Sequence, residues 1–304
     1  MNHWNKNNTI FIMASKGYAR RNIEDEDVKV FSPYHGDTGL LRICREICFR
    51  IPFLPKHIWY NKAFLNGRYA FIIIIDVNIT THYLNWIKKG FPAAKLIFLY
   101  NNMVGNARNI PPSKIPFGIQ VWTYDDYDAR RYSINLLHNY WISDNVLQPK
   151  KEFLYDVFFV GRDKGRGEAL CKLEKKMKSM GLRTKFIITK DKKLSRRKRF
   201  YEREIPYNKV IEYDTVSRAI LNITMENQEG VTMRDIEATA IGVKLITTNR
   251  SIINKDLYNK NNVFILGVDD IETLPVFLKQ EYVNVWDDIR GFHTFDSMLT
   301  ELTN

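Results

Sequence analysis

The sequence predicts an α/β protein of two domains, each a doubly wound parallel sheet with helices on both faces. Three observations predict this. Strand-like and helix-like segments alternate almost throughout the 304 residues. The strongest strand-like run, AFIIIID at 70–76, is apolar without alternation, as a strand covered on both faces must be. The pattern then restarts after the polar stretch SDNVLQPKKEF (143–153), with a strand that runs into glycine.

In chain order, TIFIMAS (9–15) reads as a first strand entering the loop Lys16-Gly17. VKVFSPY (28–34) is a second strand, followed by a helix from about Gly39 to Phe49. AFIIIID ends in Asp76 and leads to a helix over 78–89, then to the strands AKLIFLY (94–100) and GIQVWTY (118–124). DARRYSINLLHNYW (128–141) carries apolar residues at helical spacing and reads as one helix. In the second half, YDVFFVG (155–161) is a strand, GEALCKLEKKMKSMG (167–181) a charged helix and RTKFIITK (183–190) a strand. The basic run DKKLSRRKRFYER (191–203) reads as a mobile loop or exposed helix. AILNITM (219–225), a helix from Thr232 to about Ile241, VKLITTN (243–249) and NVFIL (262–266) complete the series. Trp286, Ile289, Phe292 and Phe295 recur near helical spacing, predicting a last helix over 284–302. The expected domains are 1–148 and 149–283, with 284–304 packing back on the first.

Composition narrows the class. Hydrophobic residues are 45% and charged residues 26%, the balance of a folded globular chain, and the net charge is +12. That excess suits anionic partners: a nucleotide diphosphate, nucleic acid or an anionic membrane surface. Nucleic acid is the weaker reading, because no zinc-finger spacing, RNP-type aromatic pattern or basic zipper occurs. A basic α/β protein that binds nucleic acid or another anionic polymer remains the alternative. Three cysteines, Cys44, Cys48 and Cys171, suit a reducing compartment rather than a disulfide framework. Cys44 and Cys48, a helical turn apart, read as buried small apolar residues. No signal-peptide pattern opens the chain and no apolar run is long enough to span a bilayer, so a cytoplasmic location is expected.

Two segments carry chemistry. In MENQEGVTMRDIEATAIGVKLITTN (225–249), a strand feeds a loop with Glu229 and Gly230, and a helix begins within it. Unpaired amides at a helix start, with the helix dipole, seat a phosphate. Gly230 lets the backbone approach a ligand. Glu237 falls about a turn and a half into the helix, where a carboxylate can accept ribose hydroxyls, and Gly242 closes the helix. In FFVGRDKGRG (158–167), a strand ends at Gly161 and is followed by Arg162, Lys164 and Arg166. Fixed cations there stabilise a departing diphosphate as its charge grows. No G-x-G-x-x-G follows the first strand and no Walker A sequence occurs, which removes the dehydrogenase and P-loop readings. Asp125-Asp126 reads as a helix cap rather than a metal pair.

The first segment resembles the E-x7-E element of GT-B glycosyltransferases, in particular bacterial capsule and lipopolysaccharide enzymes with Gly-x-Thr-x-Arg-x-x-Glu and a following Lys-Leu-Ile-Thr-Thr-Asn strand. Here these are Gly230 to Glu237 and Lys244 to Asn249. The resemblance covers roughly 155–265. It implies two Rossmann-like domains facing across a cleft, and transfer of a sugar from a nucleotide diphosphate-sugar to a glycan or lipid-linked acceptor, with no metal and no further cofactor. It implies that Glu229 contacts the donor sugar, that Gly230, Val231 and Thr232 hold sugar and phosphate, and that Glu237 binds the ribose. Gly161, Arg162, Lys164 and Arg166 fall where such enzymes bind the diphosphate. Val231-Thr232-Met233-Arg234 replaces the usual aromatic-Gly pair after the first Glu, and Arg234 is expected to add phosphate charge. An acceptor base is sought in the first half, where the loop SPYHGDTG (32–39) offers His35 and Asp37. A retaining enzyme needs no such base, and the stereochemistry stays open. A GT-B-like partner protein without catalysis also fits these residues. RIPFLPKHIWYNK (50–62) and RRKRFYER (196–203) are expected contacts with the membrane surface.

Overall fold

The computed structural model describes residues 3–14, 18–36, 39–51, 53–76, 78–105, 109–138, 148–150, 152–191 and 200–304. The chain divides into two units, Met1–Asn139 with Phe295–Asn304, and Tyr140–Thr294.

The first unit runs β1 (Thr9–Ile12), α1 (Tyr18–Asp25), β2 (Lys29–Phe31), α2 (Gly39–Arg50), β3 (Phe71–Ile75), α3 (Thr81–Gly90), β4 (Lys95–Tyr100), β5 (Gln120–Thr123), α4 (Asp126–Tyr132) and β6 (Asn135–Leu136). Its strands form one parallel sheet in the order β2-β1-β3-β4-β5-β6. β3 is buried along its whole length, with Ile72, Ile73 and Ile74 fully inaccessible. A parallel strand with layers on both faces needs side chains of this kind at every position. On one face, Tyr34, Tyr60 and Tyr83 pack together with ring centroids 5.0–6.0 Å apart, Tyr83 edge-on to both others, and the Tyr34 hydroxyl donates to the Asn78 carbonyl at 3.0 Å. α3 starts at an N-cap, Thr80, whose hydroxyl accepts the Tyr83 amide at 3.2 Å.

The second unit runs β7 (Tyr155–Arg162), α5 (Gly167–Ser179), β8 (Thr184–Thr189), α6 (Tyr207–Thr215), β9 (Ser217–Asn222), α7 (Met233–Ile241), β10 (Lys244–Thr247), β11 (Val263–Ile265) and the short helices α8 (Leu274–Phe277) and α9 (Trp286–Ile289). Its parallel sheet has the order β11-β10-β9-β7-β8. Alternate residues of β9 serve opposite faces: Ala219 and Leu221 pack with Leu170 and Met177 of α5, and Ile220 with Ile236 of α7.

The chain then returns to the first unit through α10 (Phe295–Thr303), which buries Phe295, Met298, Leu299 and Leu302. The Phe295 ring lies 6.1 Å from Phe11 and from Trp4, Lys95 Nζ donates to the Thr303 carbonyl at 2.9 Å, and the His138 amide donates to Glu301 Oε1 at 2.9 Å. Full burial of side chains such as Leu299 and Leu302 stabilises by about 1.5–3 kcal/mol each.

Several expectations are corrected. The helix expected over 128–141 stops at Tyr132, because Ser133 adopts a left-handed conformation (φ 52°), and Asn135–Leu136 then pair with β5 as an edge strand. The single helix expected over 284–302 is broken. Residues 284–294 stay with the second unit, α9 ends at Ile289, and Phe292 is 61% exposed rather than part of a buried face. α1 and α6 were not anticipated. Cys48 is buried, but Cys44 is exposed. Most of 191–203, at 192–199, lies outside the described residues. Among the described residues, no helix is long and apolar enough to cross a membrane.

Candidate functional site

The second sheet has a topological switch point at β7. From β7 the chain moves to β8 on one side and returns to β9 on the other. α5 covers one face of the sheet, and Val210 of α6 and Ile236 of α7 pack on the other. The loops after β7 and β9 therefore lead to helices on opposite faces, at the strand ends where open parallel sheets bind ligands. These are the two segments the sequence singles out.

After β7 the chain turns through Lys164 (φ 48°) and Gly165 (φ 85°) into α5. Buried Asp163 ties this turn. One of its oxygens accepts the Gly167 amide at 2.6 Å and the other the Tyr201 hydroxyl. Gly167 is required by close approach, since a Cβ there would lie 2.9 Å from Asp163 Oδ1 and 2.8 Å from the Phe200 ring. The three basic residues diverge. Arg162 is exposed and pairs with Glu204 at 3.2 Å, on the β8 side. Arg166 turns inward. Its guanidinium lies 5.8 Å from the Phe159 ring centroid, and Nη1 donates to the carbonyl of Ile223, at the start of the β9–α7 loop. Gly161 runs beside it, with room for a Cβ only 3.1 Å from Phe159 and 3.6 Å from Arg166. Desolvation, then the charges of Arg166 and Arg162, hold the Lys164 pKa below the ordinary lysine value. Burial likewise lowers that of Arg166.

The β9–α7 loop is fixed at both ends. Asn222 Nδ2 donates to Thr232 Oγ1 at 3.0 Å and to Asp235 Oδ1 at 2.7 Å. Thr232 and Asp235 form a reciprocal capping box at the start of α7, with Asp235 Oδ2 accepting the Thr232 amide at 2.8 Å. From the end of β10, Thr248 Oγ1 accepts the Thr224 amide at 2.9 Å, and Asn249 Nδ2 donates to the carbonyls of Glu229 (3.2 Å) and Gly230 (3.3 Å). Thr248 and Asn249 thereby hold the Glu229–Gly230 loop against the end of β10. Gly230 is buried, Glu229 is half-buried, and Val231 packs its side chain against the α7 core. Gly242 ends α7 at φ 82°, as the sequence suggests.

Two expectations change inside α7. Arg234 does not present its charge to a ligand. It forms a two-point pair with Asp214 of α6 (2.8 and 2.6 Å) and donates to Glu237 Oε2 at 2.6 Å. Two buried carboxylates already compensate it. Glu237 is fully buried, and its second oxygen accepts the Tyr207 hydroxyl. A ribose-binding carboxylate needs an exposed edge, and Glu237 has none here. Desolvation raises its pKa most, with Asp214 adding to the rise and Arg234 opposing it. Sequence reasoning missed this cluster because Asp214 and Tyr207 lie far from α7 in the chain.

In the first unit, His35 is exposed, with its amide donating to the Trp59 carbonyl at 2.8 Å and its carbonyl accepting Arg45 Nη1 at 3.1 Å. Asp37 lies outside the described residues. Asp125 is the N-cap of α4, accepting the Asp128 amide at 3.1 Å, as expected. Asp76, not singled out from sequence as a candidate, ends β3 beside the point where this sheet reverses strand order around β1. It accepts the Asn101 amide (3.1 Å) and Asn109 Nδ2 (2.6 Å), and burial pushes its pKa to about 6.

No family model matches the sequence, and no curated protein sequence matches it. Solved structures do. A sucrose-phosphate synthase from Thermosynechococcus elongatus superposes with a TM-score of 0.61 at 10% identity, covering 96% of each chain. AviGT4, a glycosyltransferase involved in avilamycin A biosynthesis, gives 0.51 at 11% identity, covering 96% of this chain and 94% of that one. The fold is GT-B. Within the GT-B frame, Gly161, Arg166, Gly230, Val231 and Thr232 share one end of the second sheet, whereas Arg162 turns toward β8, and Arg234 and Glu237 belong to the interior beneath α7.

Proposed function

We propose that the chain is a glycosyltransferase that binds a nucleotide diphosphate-sugar at the carboxyl ends of β7 and β9. The observation that carries this reading is the hydrogen bond from Arg166 to the Ile223 carbonyl, which joins the basic loop to the Glu229 loop at the switch point of the sheet. The α7 N-terminus supplies the positive end of a helix dipole, and Lys164 and Arg166 supply charge that strengthens as the diphosphate departs. Glu229 and the backbone of Gly230–Thr232 face the sugar and phosphate. Val231 anchors the loop through its side chain. His35 and Asp37 are the acceptor-side candidates for a base. The acceptor in this reading is a bacterial surface glycan, of lipopolysaccharide, O-antigen or capsule type, extended at the cytoplasmic face of the membrane and without a metal.

A thermal-shift panel of nucleoside diphosphates and their sugars tests it, since a ligand of the native state raises its stability by about 2.7 kcal/mol at a hundredfold excess over Kd. Lys164→Ala is expected to weaken the preferred diphosphate by about tenfold, the scale of a hydrogen bond to a charged group. If no nucleotide shifts the wild type, the donor reading is wrong.

A further inference from the structure

α2 carries two apolar faces, and only one of them is used. Arg45, Cys48 and Phe49 lie on the inward side, whereas Leu41 is 61% exposed. Cys48 is buried, the Phe49 ring meets Tyr34 edge-on at 4.9 Å, and the Arg45 guanidinium sits 5.5 Å from the Tyr34 ring centroid. Leu40, Ile43, Cys44 and Ile47 follow the i, i+3, i+4, i+7 spacing of a second stripe. That stripe faces solvent, with Leu40 79%, Ile43 53% and Ile47 50% exposed. It is continued after the helix by Phe53 (86%) and Ile58 (57%). Isolated exposed apolar residues are ordinary, but six in one stretch, Leu41 included, form a patch.

The charges beside the patch identify its occupant. Arg42, Glu46 and Arg50 flank the stripe on the helix, and Arg42 and Glu46 pair at 2.8 Å. Residues 39–62 hold Arg42, Arg45, Arg50, Lys56 and Lys62 against the single acid Glu46. An apolar stripe bordered by a net excess of basic residues fits an interfacial helix, whose apolar side sinks to the acyl boundary while the cations meet lipid phosphates. A second copy of this chain would bring Arg42 and Arg50 of both copies together. Nucleic acid offers nothing to Leu40, Ile43 or Ile47.

We propose that α2 and the segment following it form a membrane-docking surface that lays the Leu40/Ile43/Ile47 stripe into an anionic bilayer. The surface lies in the first unit, and the proposal stands independently of the donor site in the second.

The test is co-sedimentation of the full chain with vesicles of phosphatidylcholine alone or with about one third phosphatidylglycerol. Wild type is expected to bind the anionic vesicles, and to be released as salt rises. Ile43→Asn with Ile47→Asn is expected to reduce binding about tenfold or more. Arg42→Gln with Arg50→Gln is expected to reduce it about 25-fold on the anionic vesicles only, at about fivefold per charge. All four side chains are exposed, so both variants are expected to keep the wild-type melting temperature, separating lost docking from lost fold. Binding of either variant at the wild-type level overturns the proposal, as does failure of wild type to bind anionic vesicles. So does a concentration-dependent dimer of wild type that Ile43→Asn with Ile47→Asn dissolves, which reassigns the stripe to contact between copies.

Discussion

Replacing Glu237 separates an interior role from a ligand-binding one. In the interior role, Glu237→Ala removes two hydrogen bonds to the carboxylate, one from Arg234 and one from the Tyr207 hydroxyl, worth about 1.5–3 kcal/mol each. Relief of the carboxylate's own desolvation offsets part of this, and Arg234 keeps its two-point pair with Asp214, leaving a net loss of about 2–4 kcal/mol. Arg234→Ala costs more, about 5 kcal/mol, because it leaves both Asp214 and Glu237 buried without a cation. Glu237→Gln costs least, about 1 kcal/mol. Its carbonyl still accepts from Arg234, and the Tyr207 hydroxyl rotates to accept from the new amide. Urea denaturation of the three variants is expected to give that order, with nucleoside diphosphate affinity unchanged in Glu237→Gln by calorimetry. A Glu237→Gln protein as stable as wild type but tenfold weaker for its nucleotide would refute the reasoning and return Glu237 to the ribose.

Two further outcomes follow from buried or strained positions. The Asp76 carboxyl has a folded pKa of about 6 against 3.8, so its contribution is fully present below 3.8 and is lost as pH rises toward 6. Asp76→Asn, with the Asn109 amide turned so that its buried Oδ1, without a partner among the described residues, accepts the new NH₂, removes that dependence. The variant is expected to gain about 2.4 kcal/mol on wild type between pH 4 and pH 7, measured by denaturant titration at each pH, and parallel curves would remove the buried carboxylate from the account. Gly242→Ala meets nothing closer than 3.9 Å, so only the left-handed backbone (φ 82°) opposes it. About 1–2 kcal/mol is expected to be lost, and an unchanged melting temperature would show that α7 does not depend on this cap.

The parts of the fold legible in sequence are those where a local pattern has one physical solution. FIIII reads as a two-face-buried strand because five consecutive apolar residues, four of them β-branched, suit a strand covered on both faces. Thr232 and Gly242 mark the ends of α7 because a cap and a left-handed closure each favour particular residue types. The illegible parts depend on partners distant in sequence. Apolar spacing runs on past Ser133, while the real stop is one residue's backbone angle, and the two-residue β6 has no pattern of its own. In the candidate site, Glu237 has the spacing of a ligand residue, but its environment is set by Asp214 and Tyr207 on α6. Arg166 finds a backbone carbonyl, an acceptor that carries no residue identity, and so no motif could foretell which of the three basic residues turns inward.

The return of α10 to the first unit has a consequence for biosynthesis. Phe295, Leu299 and Leu302 complete a core whose other members are made at the opposite end of the chain. On the ribosome, all of Tyr140–Thr294 is synthesised between the last residues of β6 and the helix that covers Phe11, a delay of about 10–30 s at ordinary elongation rates. The unit whose strands emerge first is thus the last to be finished. The later unit, continuous in sequence, folds while its predecessor still waits with an open apolar edge. Chaperone capture during translation is expected to fall on the first unit, and to end when the final helix leaves the exit tunnel.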